Sequence, residues 1–107
     1  MQSISIQIQP EFLSAFDRAA FLTQVRSLGR SPEIDEFTEK GATYLSFNFF
    51  TEFPKKLWQD LQQALYQHAE YSKIISPISV AICEDESHPD GYLVLHHVDK
   101  TEKVSQL

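Results

Sequence analysis

The stretch Ala42 to Thr51, which reads A-T-Y-L-S-F-N-F-F-T, is the longest run of strand-favouring residues in the chain. Successive side chains of a strand point to opposite faces of its sheet. One face of this run is mainly apolar, with Thr43, Leu45, Phe47 and Phe49. The other face is mixed, with Tyr44, Ser46, Asn48 and Phe50. This pattern predicts a strand in the middle of an antiparallel sheet that helices cover on one side.

Length and composition predict one folded domain. The chain has 107 residues, of which 42% are hydrophobic, and this suffices to bury one core but not two. We place the domain at residues 1–100 and expect residues 101–107 to form a polar C-terminal tail.

The charge balance narrows the classes of partner. Nine Lys and Arg against fifteen Asp and Glu give a net charge of −6, and such a chain repels phosphate backbones and anionic lipid headgroups. Neither G-x-G-x-x-G nor G-x-x-x-x-G-K is present to cradle a phosphate. We therefore expect a protein partner, with a basic one favoured, and no nucleic acid, membrane or cofactor.

The single cysteine and the N-terminal residues indicate the cellular compartment of the protein. Cys83 is alone and cannot form an internal disulfide, and M-Q-S-I-S-I-Q-I-Q alternates where a signal peptide has a basic segment and an apolar run. No apolar run approaches the roughly twenty residues that span a bilayer. These features predict a cytoplasmic protein.

The segments before the central strand predict a strand and a helix. Residues 3–9 alternate isoleucine with polar residues, which is the period of a strand with one wet face. A helix is expected from an N-cap at Asp17 to a C-terminal Gly29. Residues 11–16 can form a separate helical turn before this helix.

A short strand over residues 34–38 is predicted to form a hairpin with the central strand through Glu39-Lys40-Gly41. Its charges, Asp35, Glu36 and Glu39, indicate the edge of a sheet, where charge discourages unwanted pairing.

The helix after the central strand is expected to hold Pro54 in its first turn and to continue to Glu70. On a helical wheel its apolar face contains Leu57, Leu61, Ala64, Leu65 and His68. Tyr66 lies on the opposite face, which we expect to meet solvent.

Residues 78–83 and 92–98 predict two further strands around a turn at 84–91. We expect His96 on the helix-facing side of the sheet and Leu93, Leu95 and His97 on the open side, together with Ala81 and Cys83. The resulting order, β α β β α β β, predicts an α+β two-layer sandwich of the ferredoxin-like kind, with both helices on one face and an extra C-terminal strand.

His68 and His96 form one candidate site. A hairpin of the last two strands would bring His96 towards His68, and a histidine pair can bind a metal or serve as acid and base if a third ligand such as Asp99 or Glu70 is in reach. The alternative, which we favour because zinc sites have three or four ligands, is a packed and hydrogen-bonded role for each ring.

A second cluster, Cys83, Asp85, His88 and Asp90, lies in the segment C-E-D-E-S-H-P-D. It lacks the C-x-x-C or H-E-x-x-H spacing of metal sites, and a solvated turn explains the same residues. The acidic residues after Cys83 raise a thiol pKa and disfavour a nucleophilic role.

The uncovered sheet face is the candidate interface. We assign to it Tyr44, Asn48, Phe50, Leu93, Leu95 and His97. Apolar patches of this kind mark interfaces, so a homodimer is expected, unless the tail or residues 11–16 fold over the face. The leading hypothesis is an interaction or regulatory module rather than an enzyme, and the alternative is a metal-dependent binder or small enzyme that uses His68 and His96.

Overall fold

The structure is a computed structural model that describes residues 2–99 and 101–107, and its framework is a five-stranded antiparallel sheet. The strands are β1 (Gln2–Ile8), β2 (Glu33–Glu39), β3 (Ala42–Thr51), β4 (Ser79–Glu84) and β5 (Tyr92–His96). The α-helices are α1 (Arg18–Val25), α2 (Pro54–Leu61) and α3 (Ser72–Ile75). Shorter helical segments are two 3-10 helices, Pro10–Ala15 and Arg26–Leu28, and a π-helix, Gln62–Tyr66. The predicted α+β class is confirmed.

The strand order is β2-β3-β1-β4-β5, so β1 and β3 lie inside the sheet. Strand β3 pairs with β1 on one side and with β2 on the other, as its alternation predicts for an inner strand. Its apolar residues join those of β1 and of the helices in one core, which includes Ile4, Ile6, Ile8, Phe21, Leu45, Phe47, Leu57, Leu61 and Leu65. The helices therefore pack on a single face of the sheet.

Helix α1 begins where its capping residue predicts. The Asp17 side chain accepts a hydrogen bond from the Ala20 amide, which satisfies one of the free N–H groups of the first turn. The Phe21 ring stacks on Phe47 with centroids 4.2 Å apart and ties the helix to β3. The chain leaves this region through Gly29, whose φ of 70° is left-handed.

The hairpin of β2 and β3 turns at two residues with positive φ, Lys40 at 53° and Gly41 at 80°. Positive φ at both central residues is the type I′ geometry, whose twist matches that of the two strands. Glu39 pairs with Ala42 directly beside this turn, so the turn fixes the register of the hairpin.

The second helix differs from its prediction because it changes from α to π geometry. A hydrogen bond from the Gln67 amide to the Gln62 carbonyl spans five residues rather than four, and a π turn admits an extra residue. Tyr66 lies within this π turn and, although it was expected to face solvent, packs against the core. The helical segment ends at Tyr66 rather than at Glu70, so His68, expected on the apolar face, lies beyond the helix and is exposed.

Strand β4 alternates as predicted but faces the opposite way. Cys83 and Ala81 pair with Ile4 and Ile6 of β1, which places both on the helix side, where they are fully buried. Val80 and Ile82 lie on the open side instead. On the helix side Ala81 pairs with His96 of β5, whose ring stacks with Tyr66.

Strand β5 is shorter than predicted and carries a bulge. Ala81 pairs with His96 and Ile82 with Val94, so Leu95 has no partner opposite it. Leu93 pairs with Cys83 on the helix side, and Leu95 belongs to the core with 6% of its surface exposed. Both leucines were expected on the open face, and that placement is wrong.

The C-terminal segment covers an edge of the sheet. The Ser105 amide donates to the Val94 carbonyl at 2.6 Å, and Leu107 packs against the core. The tail therefore lies along β5 and beside α2. It does not fold over the open face, which was one of the two alternatives considered from the sequence.

Candidate interaction surface

The face of the sheet opposite the helices is the main candidate for a functional surface. We call it the open face and define it by the strand register. Its principal residues are Ser5, Gln7, Phe37, Tyr44, Ser46, Asn48, Phe50, Val80, Ile82 and Val94. The core cluster lies on the other side of the sheet and includes none of these residues.

The centre of the open face is a fixed polar group. The side-chain oxygen of Asn48 accepts hydrogen bonds from Ser5 Oγ at 2.6 Å and from Ser46 Oγ at 2.7 Å. Both serines are buried between their neighbours on the sheet. Since satisfied polar networks restrict side-chain motion, this centre is preorganised.

Apolar side chains lie on both sides of this polar centre. Towards β2, the rings of Phe37 and Tyr44 stack with centroids 5.3 Å apart. Towards β5, the half-buried Ile82 and Val94 form an aliphatic strip with Val80, which is buried. Phe50 has 49% of its surface exposed. The face therefore offers separate aromatic and aliphatic surfaces to a ligand.

Carboxylates border the open face along β2. Glu33, Asp35 and Glu39 alternate with Phe37 on this side of the strand, and all three carboxylates are exposed. Glu36 points to the helix side, where it forms an ion pair with Arg18 of α1. The open side of β2 thus combines negative charge with an aromatic surface, which suits a cationic ligand.

Of the residues predicted for the interface, Tyr44, Asn48 and Phe50 lie on the open face, and Leu93 and Leu95 do not. His97 follows β5 and accepts a hydrogen bond from the Asp99 amide on Nδ1. The sequence pattern missed Val80, Ile82 and Val94, because both faces of these strands carry apolar residues.

The two candidate metal ligands have separate surroundings. His68 is exposed, and its Nδ1 accepts hydrogen bonds from the Glu70 and Tyr71 amides. The His96 ring stacks on Tyr66, with centroids 4.2 Å apart, and its Nε2 lies 2.9 Å from the Ser76 carbonyl. Within residues 2–99 and 101–107, no three His, Cys, Asp or Glu side chains are grouped to hold a metal ion.

The segment after Cys83 forms a hydrogen-bonded turn. Asp85 accepts from the amide and hydroxyl of Ser87, which lowers the pKa of its carboxyl group. The Asp90 amide donates to His88 Nδ1. Burial, followed by Asp85 and Glu84, raises the pKa of the Cys83 thiol. A buried thiol with a raised pKa is a poor nucleophile at neutral pH.

An apolar cleft of about 370 Å³ lies on the helix side, between the first 3-10 helix and α3. Its lining is Phe12, Ala15, Phe16, Asp17, Ala20, Tyr71, Ile74 and Ile78. Sequence reasoning missed the cleft because its walls are far apart in the chain. Burial, and to a lesser extent Asp17, raises the pKa of Tyr71 to about 12, so this phenol stays neutral at physiological pH.

Comparison with protein-family models, curated proteins and solved structures finds no match. Within the described residues, no helix is both long and apolar enough to cross a membrane. A functional assignment therefore depends on the surfaces of the molecule itself.

Proposed function

We propose that this protein is an interaction module that binds a basic protein through the open face of its sheet. The observation that carries the proposal is the combination, on one face, of the exposed Phe50, the half-buried rings of Phe37 and Tyr44 and an aliphatic strip with a border of exposed carboxylates. Aromatic residues supply contact area at low conformational cost. The carboxylates favour a cationic partner and disfavour an acidic one.

Charge also distinguishes between the two binding partners that the sequence suggested, a basic protein and a second copy of this chain. Two copies of this chain each carry a net charge of −6, and face-to-face pairing would bring together two surfaces that each have a border of carboxylates. The two leucines once expected to strengthen such a dimer belong to the core. A basic partner is therefore favoured over a second copy.

The order β2-β3-β1-β4 further supports a ferredoxin-like topology for the first four strands. In that arrangement the two helical crossovers lie on one face and leave the other available. We propose β5 as an addition that widens this available face.

A matched pair of variants tests the binding surface. Phe50→Lys places a positive charge on the open face, and Ile74→Lys makes the same charge change on α3, where Ile74 is 56% exposed. Each tagged protein is used to capture partners from its own cell lysate, and the bound proteins are identified by mass spectrometry.

The proposal predicts a basic protein that the wild type and Ile74→Lys retain, that Phe50→Lys loses, and that added salt releases. Equal capture by both variants, or retention that does not depend on salt, would contradict it. Light scattering on the purified proteins tests whether the face binds a second copy of the chain. A dimer that only Phe50→Lys disrupts would assign the open face to that second copy.

A further inference from the structure

The two edges of the sheet differ. At the β5 edge, the Ser105 amide bonds to the Val94 carbonyl and the C-terminal segment covers the strand. At the β2 edge, within residues 2–99 and 101–107, no strand pairs with the outer side. The backbone groups on that side of β2 can therefore accept another strand.

Strand β2 is held in a conformation ready for such pairing. Seven residues are extended, and β3 fixes their register. The Phe37 ring stacks on Tyr44, the hydroxyls of Thr38 and Thr43 lie 3.3 Å apart, and Glu36 is anchored to α1 by its ion pair with Arg18. A partner strand would not have to order this edge when it binds, which lowers the entropic cost of association.

Charge selects the strand that can bind. If two copies of β2 paired edge to edge in an antiparallel arrangement centred on Glu36, Glu36 would oppose its own copy and Glu33 would oppose Glu39. Like charges directly opposite each other are destabilising. The same carboxylates stabilise a strand that carries Lys or Arg at alternate positions.

We infer that the β2 edge binds an extended basic segment of the partner protein, which adds as a sixth strand beside Glu33, Asp35 and Glu39. The inference rests on the proposed function in taking the partner to be basic, and it adds the form of the segment. Basic residues alternate along one face of that segment, and an apolar residue replaces one of them opposite Phe37.

The probe is the peptide Lys-Thr-Leu-Thr-Lys-Val-Lys, blocked at both ends. In antiparallel pairing its lysines lie opposite Glu39, Asp35 and Glu33, and its leucine lies opposite Phe37. Titration into the isotope-labelled full chain, followed through the amide signals in NMR, is expected to shift the amides of β2 more than those of α3 and the β4–β5 turn.

Two versions of the peptide separate strand pairing from attraction between charges. One version is N-methylated at the odd-numbered residues of the peptide, and the other at the even-numbered residues. Only alternate residues of an added strand direct their N–H groups to the sheet edge, so one version should bind at least about tenfold more weakly than the other. Equal affinities of the two versions would overturn the inference.

Charge-reversed proteins provide the second arm. The double variant Glu33→Lys with Asp35→Lys is expected to weaken binding about tenfold. Glu86→Lys with Asp90→Lys makes the same change in net charge in the β4–β5 turn, at the other end of the sheet, and should weaken binding much less. Equal weakening, or no detectable binding of the peptide to the wild type, would contradict strand addition.

Failure of this inference is distinguishable from failure of the proposed function. A partner that Phe50→Lys loses, combined with peptide versions that bind equally, leaves the open face as the binding surface and removes the β2 edge. If instead the two N-methylated peptides bind with different affinities and Phe50→Lys still captures the partner, the β2 edge remains as a binding site and the open face is removed.

Discussion

The phenol ring of Tyr66 stacks against the imidazole of His96, with their centroids 4.2 Å apart. The Tyr66 hydroxyl lies 2.8 Å from Ser79 Oγ, which itself donates to the Ile75 carbonyl, so Tyr66 is the donor of this pair. One side chain of the π-helix therefore contacts both β4 and β5.

Removal of the Tyr66 hydroxyl should destabilise the protein moderately. Tyr66→Phe keeps the ring stacking but loses the hydrogen bond to Ser79, so we expect a loss of about 1 kcal/mol in the free energy of unfolding, measured by urea denaturation. Tyr92→Phe removes a hydroxyl from a side chain that is 43% exposed. Its effect should stay within about 0.5 kcal/mol, and an equal effect of the two substitutions would contradict the assigned contact.

Stability should fall at alkaline pH. Burial raises the pKa of Tyr66, and burial with a smaller effect of Asp17 raises the pKa of Tyr71 from 10.0 to about 12. Below pH 10 each phenol is protonated in both the folded and the unfolded chain. Between pH 10 and pH 12 the unfolded chain ionises first, so each phenol lowers the free energy of unfolding by up to about 1.4 kcal/mol per pH unit.

Tyr71→Phe tests this pH dependence. Because the variant has no phenol to ionise in the unfolded chain, its free energy of unfolding should fall less steeply above pH 10 than that of the wild type. Urea denaturation at a series of pH values provides the comparison. Parallel curves for the two proteins would show that Tyr71 does not contribute.

Leu95 should contribute more to the free energy of unfolding than its neighbour Val94, which lies on the open face. Leu95→Ala removes a core side chain and is expected to cost about 2–5 kcal/mol of unfolding free energy. Val94→Ala, which changes a half-buried open-face residue, should cost about 1 kcal/mol or less. Urea denaturation measures both, and a larger cost for Val94→Ala would contradict the bulged register of β5.

Removal of residues 104–107 should expose the β5 edge. The truncated chain loses the Ser105 hydrogen bond and the packing of Leu107, for which we expect a cost of about 1–3 kcal/mol. An uncovered edge also promotes pairing between chains, so light scattering should show more association than in the full chain. Gln106→Ala, which keeps the backbone in place, is the control and should change neither quantity.

Local patterns predicted those parts of the fold that neighbouring residues determine. The alternation from Ala42 to Thr51 identified an inner strand, and Asp17 identified the start of α1. The segment Glu39-Lys40-Gly41 identified the hairpin turn, whose central residues are Lys40 and Gly41. Each of these depends on the backbone preferences of a few adjacent residues. Such preferences can be read without knowledge of the rest of the chain.

The errors came from contacts between distant residues. In the π-helix, Tyr66 contacts Ser79 and His96, which no local period reveals. Alternation alone did not decide which face of β4 meets the helices: Ala81 and Cys83 were expected on the open side, whereas they pair with Ile6 and Ile4 and are buried in the core. The open face was therefore recognised through β3, and its aliphatic side was missed.

The most direct test of the binding surface is hydrogen-deuterium exchange on the full chain, with and without the captured partner. We predict slower exchange in β2 and β3, whose amides lie beneath or beside the proposed contacts, and unchanged exchange in α3. Protection confined to α3 and the first 3-10 helix, around the apolar cleft, would place the partner on the helix side and contradict binding through the open face.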